Sequence, residues 1–131
     1  MGVRVLIVED DPVVGQILEW RLGSLGYTVC GKVSTAEDAF SEVKTRQPDV
    51  VLMDIHLAGR MDGIDAAQAI KKMHDIPVIF LTAHFADTEL ERAKAIRPEG
   101  YIIKPFSDTD LRVALELACG APGAGRTDPP G

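Results

Sequence analysis

Cysteine is scarce. Cys30 and Cys119 are far apart and stand in no Cys-x-x-Cys or Cys/His spacing, so a structural zinc site and a disulfide framework both fail for want of ligands. Long hydrophobic runs are missing too. The first apolar stretch, Val3 to Val8, is cut off by Glu9, Asp10 and Asp11 and reads neither as a membrane span nor as a signal peptide. Gly2 follows Met1, but Leu6 stands where a myristoylation signal needs Ser or Thr. Positive charge is in deficit, with 14 Lys and Arg against 20 Asp and Glu. The net charge of -6 and pI near 5.0 oppose binding to polyanions, so direct nucleic-acid contact by this chain is not expected. No strand is followed by Gly-x-Gly-x-x-Gly or by a Walker Gly-Lys-Ser/Thr, which removes the common nucleotide-binding readings. No membrane association is expected, and the cytoplasm is the default compartment.

What remains is an ordinary globular composition, 46% hydrophobic and 26% charged over 131 residues, enough for one core without disulfides or metal. Short β-branched runs alternate with segments whose apolar residues recur at three and four, which predicts a β/α alternation. The predicted strands are Val3 to Val8, Thr28 to Val33, Val50 to Met53, Val78 to Thr82 and Tyr101 to Ile103. The first, third and fourth are nearly continuous apolar runs, as parallel strands buried on both faces require, whereas Lys32 marks the second as an edge.

Five helices are predicted between and after them. The first starts at Pro12, has Val13, Ile17 and Trp20 as its apolar pattern, and stops at Leu25-Gly26. The second opens at Ser34-Thr35 with Ala36, Ala39, Phe40 and Val43 on one face. The third runs from about Gly63 to Met73 with Ile64, Ala67 and Ile70 inward, and the fourth from about Asp87 to Ile96. The fifth runs from Ser107 to Ala118 on Leu111, Ala114, Leu115 and Ala118. Residues 1–119 thus form one domain, and the Gly- and Pro-rich residues 120–131 read as a loose tail or linker stub.

Right-handed crossovers make this string a doubly wound parallel sheet, whose ligands sit at the carboxyl ends of the strands. Those ends carry Glu9-Asp10-Asp11, Asp54, Thr82-Ala83 and Lys104-Pro105-Phe106. Carboxylates gathered this closely repel one another unless a hard divalent cation sits among them, and Mg2+ suits oxygen donors of this kind.

These residues carry a resemblance. Leu6-Ile7-Val8-Glu9-Asp10-Asp11, Val51-Leu52-Met53-Asp54, Met61-Asp62-Gly63, Leu81-Thr82-Ala83 and Tyr101-Ile102-Ile103-Lys104-Pro105-Phe106 resemble the receiver domain of bacterial two-component response regulators. The resemblance spans residues 3 to 118. It implies a flavodoxin-like five-stranded parallel sheet of order 2-1-3-4-5 with five helices, and a phosphorylation-activated switch rather than a conventional enzyme. It further implies phosphorylation of Asp54, and Mg2+ (or Mn2+) held by Asp10, Asp54 and the His56 backbone carbonyl, with Glu9 acting mainly through water. Lys104 would neutralise the transferring oxygens, and Pro105 would follow a cis peptide bond. Thr82 and Tyr101 would form the switch that remodels the surface of helix four, strand five and helix five, a surface also suited to homodimerisation. The implied partners are a sensor histidine kinase or phosphotransfer protein and a downstream protein.

The sequence departs from the commoner receiver pattern between Asp54 and Asp62-Gly63, where Ala58 replaces a proline and the loop is one residue longer. His56 and His84 stand at the two positions that tune the phosphoryl lifetime in this family. Since imidazole ordinarily titrates near neutrality, they make that lifetime a pH-dependent quantity. Two rivals are weaker. A haloacid-dehalogenase-like phosphatase needs a second Asp where His56 stands, and a receiver-like module used only for binding need not have kept Asp54, Lys104 and the acidic pair.

Overall fold

The computed structural model describes residues 2–84 and 86–123. Its elements follow in strict alternation: β1 (Arg4–Val8), α1 (Pro12–Ser24), β2 (Thr28–Val33), α2 (Ala36–Arg46), β3 (Val50–Asp54), α3 (Gly63–His74), β4 (Val78–Thr82), α4 (Asp87–Ala95), β5 (Gly100–Ile103) and α5 (Asp108–Cys119). All strand pairs are parallel, and the sheet order is β2-β1-β3-β4-β5. This is the fold and strand order the resemblance implied, with β2 at one edge.

The period of two along each strand splits the core into two layers. Leu6, Val8, Val51, Met53, Val78 and Phe80 face α2, α3 and Ala93 of α4. Val5, Ile7, Val50, Leu52, Ile79, Leu81 and Ile102 face α1 and α5. β3 and β4 are buried at every position, which is why they read as unbroken apolar runs. The predicted faces of α2, α3 and α5 point into these layers.

Helix α1 differs from expectation. Val13, Ile17 and Trp20 are exposed, Trp20 by 74%, and the docked stripe is Val14, Leu18 and Leu22. Both stripes have helical spacing, so α1 is apolar on two sides and periodicity alone could not choose between them. The choice falls to the stripe that meets Val5, Ile7 and Leu52 across the sheet.

The chain after α5 also turns back. The Pro122 carbonyl accepts the Val3 N–H at 2.8 Å, so the start of the expected tail is docked beside β1. Residues 124–131 of that tail lie outside the described residues.

Candidate functional site

Four strands end at one edge, and each delivers a polar side chain there. β1 ends in Glu9, Asp10 and Asp11, and these three acids separate into different jobs. Asp11 is the N-cap of α1, its carboxylate accepting the Val13 N–H at 2.9 Å, so it serves the helix start ahead of Pro12. Asp10 is exposed, whereas Glu9 is 4% exposed and accepts the Asp11 N–H. β3 ends in Asp54, 3% exposed, whose Oδ1 accepts the His56 N–H at 3.0 Å. Carboxylate oxygens of Glu9, Asp10 and Asp54 all lie within 4.8 Å of one another. β5 is followed by Lys104, joined to Pro105 by a cis peptide bond. Its Nζ lies 2.7 Å from Glu9 Oε1 and 3.8 Å from Asp54 Oδ2. Glu9, for which the resemblance implied action through water, is here the direct anchor of Lys104.

One ammonium among three carboxylates leaves the cluster short of positive charge. Burial, then the hydrogen bond with Glu9, pushes the Asp54 carboxyl up to about 8, against the pull of the His56 N–H. Glu9 goes the other way. Its burial is outweighed by hydrogen bonds from Asp54, Lys104 and the Asp11 N–H, and its carboxyl is held below the usual range. The two buried carboxylates stand close enough to disfavour each other's charge, an arrangement in which like charges resist ionising together. The donor set fits a hard divalent cation, which would offset that crowding: two buried carboxylates, an exposed carboxylate at the rim, and only oxygen donors. Receiver domains bind Mg2+ at an acidic pocket of this kind.

Gly63 shapes the floor. A Cβ there would lie 1.8 Å from the Asp54 carbonyl oxygen, so only glycine lets α3 start against the end of β3. Its N–H donates to the Ile55 carbonyl at 2.9 Å, and the preceding Asp62 caps α3 through the Asp65 N–H. The Asp-Gly pair is thus a backbone device that sets where Asp54 stands.

Thr82 closes β4 and is 1% exposed, but its hydroxyl is turned to its own loop, donating to the His84 carbonyl at 2.7 Å. Tyr101 is 39% exposed on β5, its ring 6.2 Å from that of Phe80. The His56 and His84 rings stand 6.2 Å apart, and His56 Nε2 lies 2.8 Å from a Glu89 oxygen. Every predicted site residue thus lies at this edge or, for Tyr101, on the neighbouring strand. Glu89 and Arg92 of α4 were missed, because no motif marks them. Arg92 forks onto Asp62 and Asp65 at 3.0 and 2.9 Å.

Comparison with known proteins agrees with this geometry. Residues 5–116 match the response regulator receiver domain family. The chain belongs to that family, and so to the receivers of two-component signalling. It is 37% identical over 115 residues to the transcriptional regulatory protein PdtaR of Mycobacterium tuberculosis, covering 88% of this chain and 56% of that protein. The probable transcriptional regulator ycf27 of Guillardia theta is 35% identical over 112 residues, 86% of this chain and 43% of that one. The chain therefore spans about half the length of these curated relatives. Among solved structures, the receiver domain of the sensor histidine kinase PA1611 from Pseudomonas aeruginosa, with a magnesium ion coordinated in its active-site cleft, superposes with a TM-score of 0.81. It is 31% identical and covers 92% of this chain and 100% of that one. The signal receiver domain of a modulated diguanylate cyclase from Desulfovibrio desulfuricans gives 0.84 at 36% identity, covering 88% and 91%. No helix among the described residues is long and apolar enough to cross a membrane.

Proposed function

We propose that Asp54 accepts a phosphoryl group from the phosphohistidine of a sensor kinase or phosphotransfer protein and that the resulting charge switches the surface of α4, β5 and α5. The observation that carries this reading is the buried Glu9 and Asp54 pair with Lys104 at 2.7 Å from Glu9. A carboxylate oxygen of Asp54 attacks phosphorus while the phosphorus–nitrogen bond of the donor breaks and the donor imidazole leaves with the electron pair. Lys104 exchanges part of its contact with Glu9 for the oxygens of the transferring group, which little else in the site can neutralise. Asp10, Asp54 and the His56 carbonyl, with Glu9 beside them, would hold Mg2+, or Mn2+ in its place, which would supply further charge neutralisation. The chain assists its own phosphorylation and dephosphorylation and is otherwise no enzyme.

In the signalling step Thr82 leaves the His84 carbonyl for a phosphoryl oxygen, and Tyr101 turns toward the space vacated. Taking such a two-state element from mostly off to mostly on needs roughly 3 to 5.5 kcal/mol of differential stabilisation. The remodelled face binds a downstream protein or a second copy of the chain. His56 and His84 flank Asp54 and tune how long the acyl phosphate survives. Its half-life is expected to change between about pH 6 and 8 and to lose that dependence in the His56→Ala, His84→Ala double variant.

Intact-mass measurement after acetyl phosphate, with and without Mg2+, tests the core of the reading. A phosphoryl adduct that requires Mg2+ and vanishes in Asp54→Ala is expected. Without such an adduct the chain is a receiver-like interaction module.

A further inference from the structure

Helix α4 is the least anchored of the helices. Ala93 is its single buried residue among those described, against five in α3 and three in α2. Polar contacts are therefore left a larger share of its anchoring than in the other helices. Two stand on one of its faces. Glu89 Oε2 lies 2.8 Å from His56 Nε2, while Glu89 Oε1 accepts the Ala86 N–H at the start of the helix. One turn later Arg92 donates to Asp62 and Asp65. His56 and Asp62 are opposite ends of the loop between β3 and α3, the loop that is one residue longer than in the commoner receiver pattern.

We propose that Glu89 and Arg92 clasp the two ends of this loop and hold α4 in its unphosphorylated position, so that modification of Asp54 reaches α4 through His56. The proposal rests on the reading of Asp54 as phosphoacceptor. The route is short. Asp54 Oδ1 accepts the His56 N–H at 3.0 Å, and the His56 ring reaches Glu89, which caps α4. The clasp coexists here with a Thr82 hydroxyl turned onto His84, the contact that the proposed switch gives up on phosphorylation, so it belongs with the unswitched arrangement. A phosphoryl group on Asp54 adds bulk and negative charge against the His56 backbone, and its oxygens compete with Glu89 for the adjacent imidazole. Both effects loosen the clasp. A helix with one apolar anchor is then free to take a second position, which is what a two-state element requires.

Hydrogen exchange on the full chain, together with phosphorylation by acetyl phosphate in Mg2+, tests this in wild type, Arg92→Ala and Glu89→Gln. Gln at position 89 keeps the capping geometry and removes only the charge. In the unmodified protein, amides of α4 are expected to exchange about three- to fivefold faster in either variant, the size of effect a partly exposed ion-pair group supports, while α5 is unchanged. Phosphorylation is expected to speed up by a similar factor, because releasing the clasp raises the population of the competent state. Unchanged α4 exchange in both variants overturns the clasp, as does faster exchange spread equally over α5, which would mark general destabilisation. Faster α4 exchange with unchanged or slower phosphorylation also overturns it, since α4 would then be held by the clasp without being coupled to Asp54. If wild type takes up no phosphoryl group, the phosphoacceptor reading fails by itself, and the exchange measurement alone decides whether the clasp holds α4.

Discussion

Both ends of the sheet carry acids, and they are treated in opposite ways. At the amino end, Asp49 is buried just before β3 and exchanges two hydrogen bonds with Arg4 of β1, its carboxylate accepting the Arg4 N–H and its own N–H donating to the Arg4 carbonyl, each at 2.8 Å. Glu99, just before β5, repeats the motif with Val78 of β4 and takes Lys71 as well. These acids serve the ladder: each satisfies a strand-start N–H that has no partner in the sheet. At the carboxyl end, Glu9 and Asp54 are crowded against each other, and a single ammonium serves both. Asp54 is pushed up to about 8 as a result. A buried acid is structural when its partners saturate it. It is a candidate site when they do not, because an incoming ligand then has something to complete.

The contrast can be broken by substitution. The largest effect is expected at Gly63, where a methyl group would strike the Asp54 carbonyl. Gly63→Ala should cost about 3 kcal/mol or more in urea unfolding, since neither backbone segment can move aside. A cost below about 1 kcal/mol would mean that the floor of the site is soft.

Next comes pH. The folded protein holds on Asp54, up to about 8, a proton that the unfolded chain releases at 3.8. Between those values the native state binds more protons than the unfolded one, so stability from this group falls as pH rises. Without divalent cation, Asp54→Asn is expected to exceed wild type at pH 8 by on the order of 2 kcal/mol, with the gap closing toward pH 5. Adding Mg2+ should raise the melting temperature of wild type and leave that of the variant nearly unmoved. Calorimetry at both pH values checks this, and equal pH slopes for the two proteins would place the strain elsewhere.

At the other end Asp49→Ala is expected to cost about 1–2 kcal/mol through the orphaned Arg4 N–H while leaving Mg2+ binding and phosphorylation as in wild type. A change in either would show that the two ends are coupled. The smallest effect belongs to Trp20→Ala, expected within about 0.5 kcal/mol of wild type because the ring is exposed, whereas Leu18→Ala should cost about 2–5 kcal/mol.

Much of this was legible in the residues themselves. The unbroken runs Val50 to Met53 and Val78 to Thr82 can only be central parallel strands, and Lys32 can only suit an edge. The acids, hydroxyl and lysine at four strand ends come to one edge in a parallel sheet with right-handed crossovers, so the placing of Glu9, Asp54, Thr82 and Lys104 at that edge needed no coordinates. Two things were hidden. The face of α1 was ambiguous, because Val13-Ile17-Trp20 and Val14-Leu18-Leu22 are both apolar and both at helical spacing. The grip of Glu89 and Arg92 on the β3–α3 loop joins residues 27 to 33 positions apart, and long-range polar pairs leave no local pattern.

The sequence by itself determined the alternation of elements and which side chains stand at the carboxyl edge, because periodicity and chirality act locally, while the sheet order was implied only by the resemblance to receiver domains. Only the tertiary structure decided how charge is shared among those side chains. Glu9 takes Lys104, Asp54 is pushed up by burial, Asp11 is spent on a helix cap, and Asp10 stays at the rim, since each outcome depends on burial and on distances of a few ångströms that a linear chain does not contain.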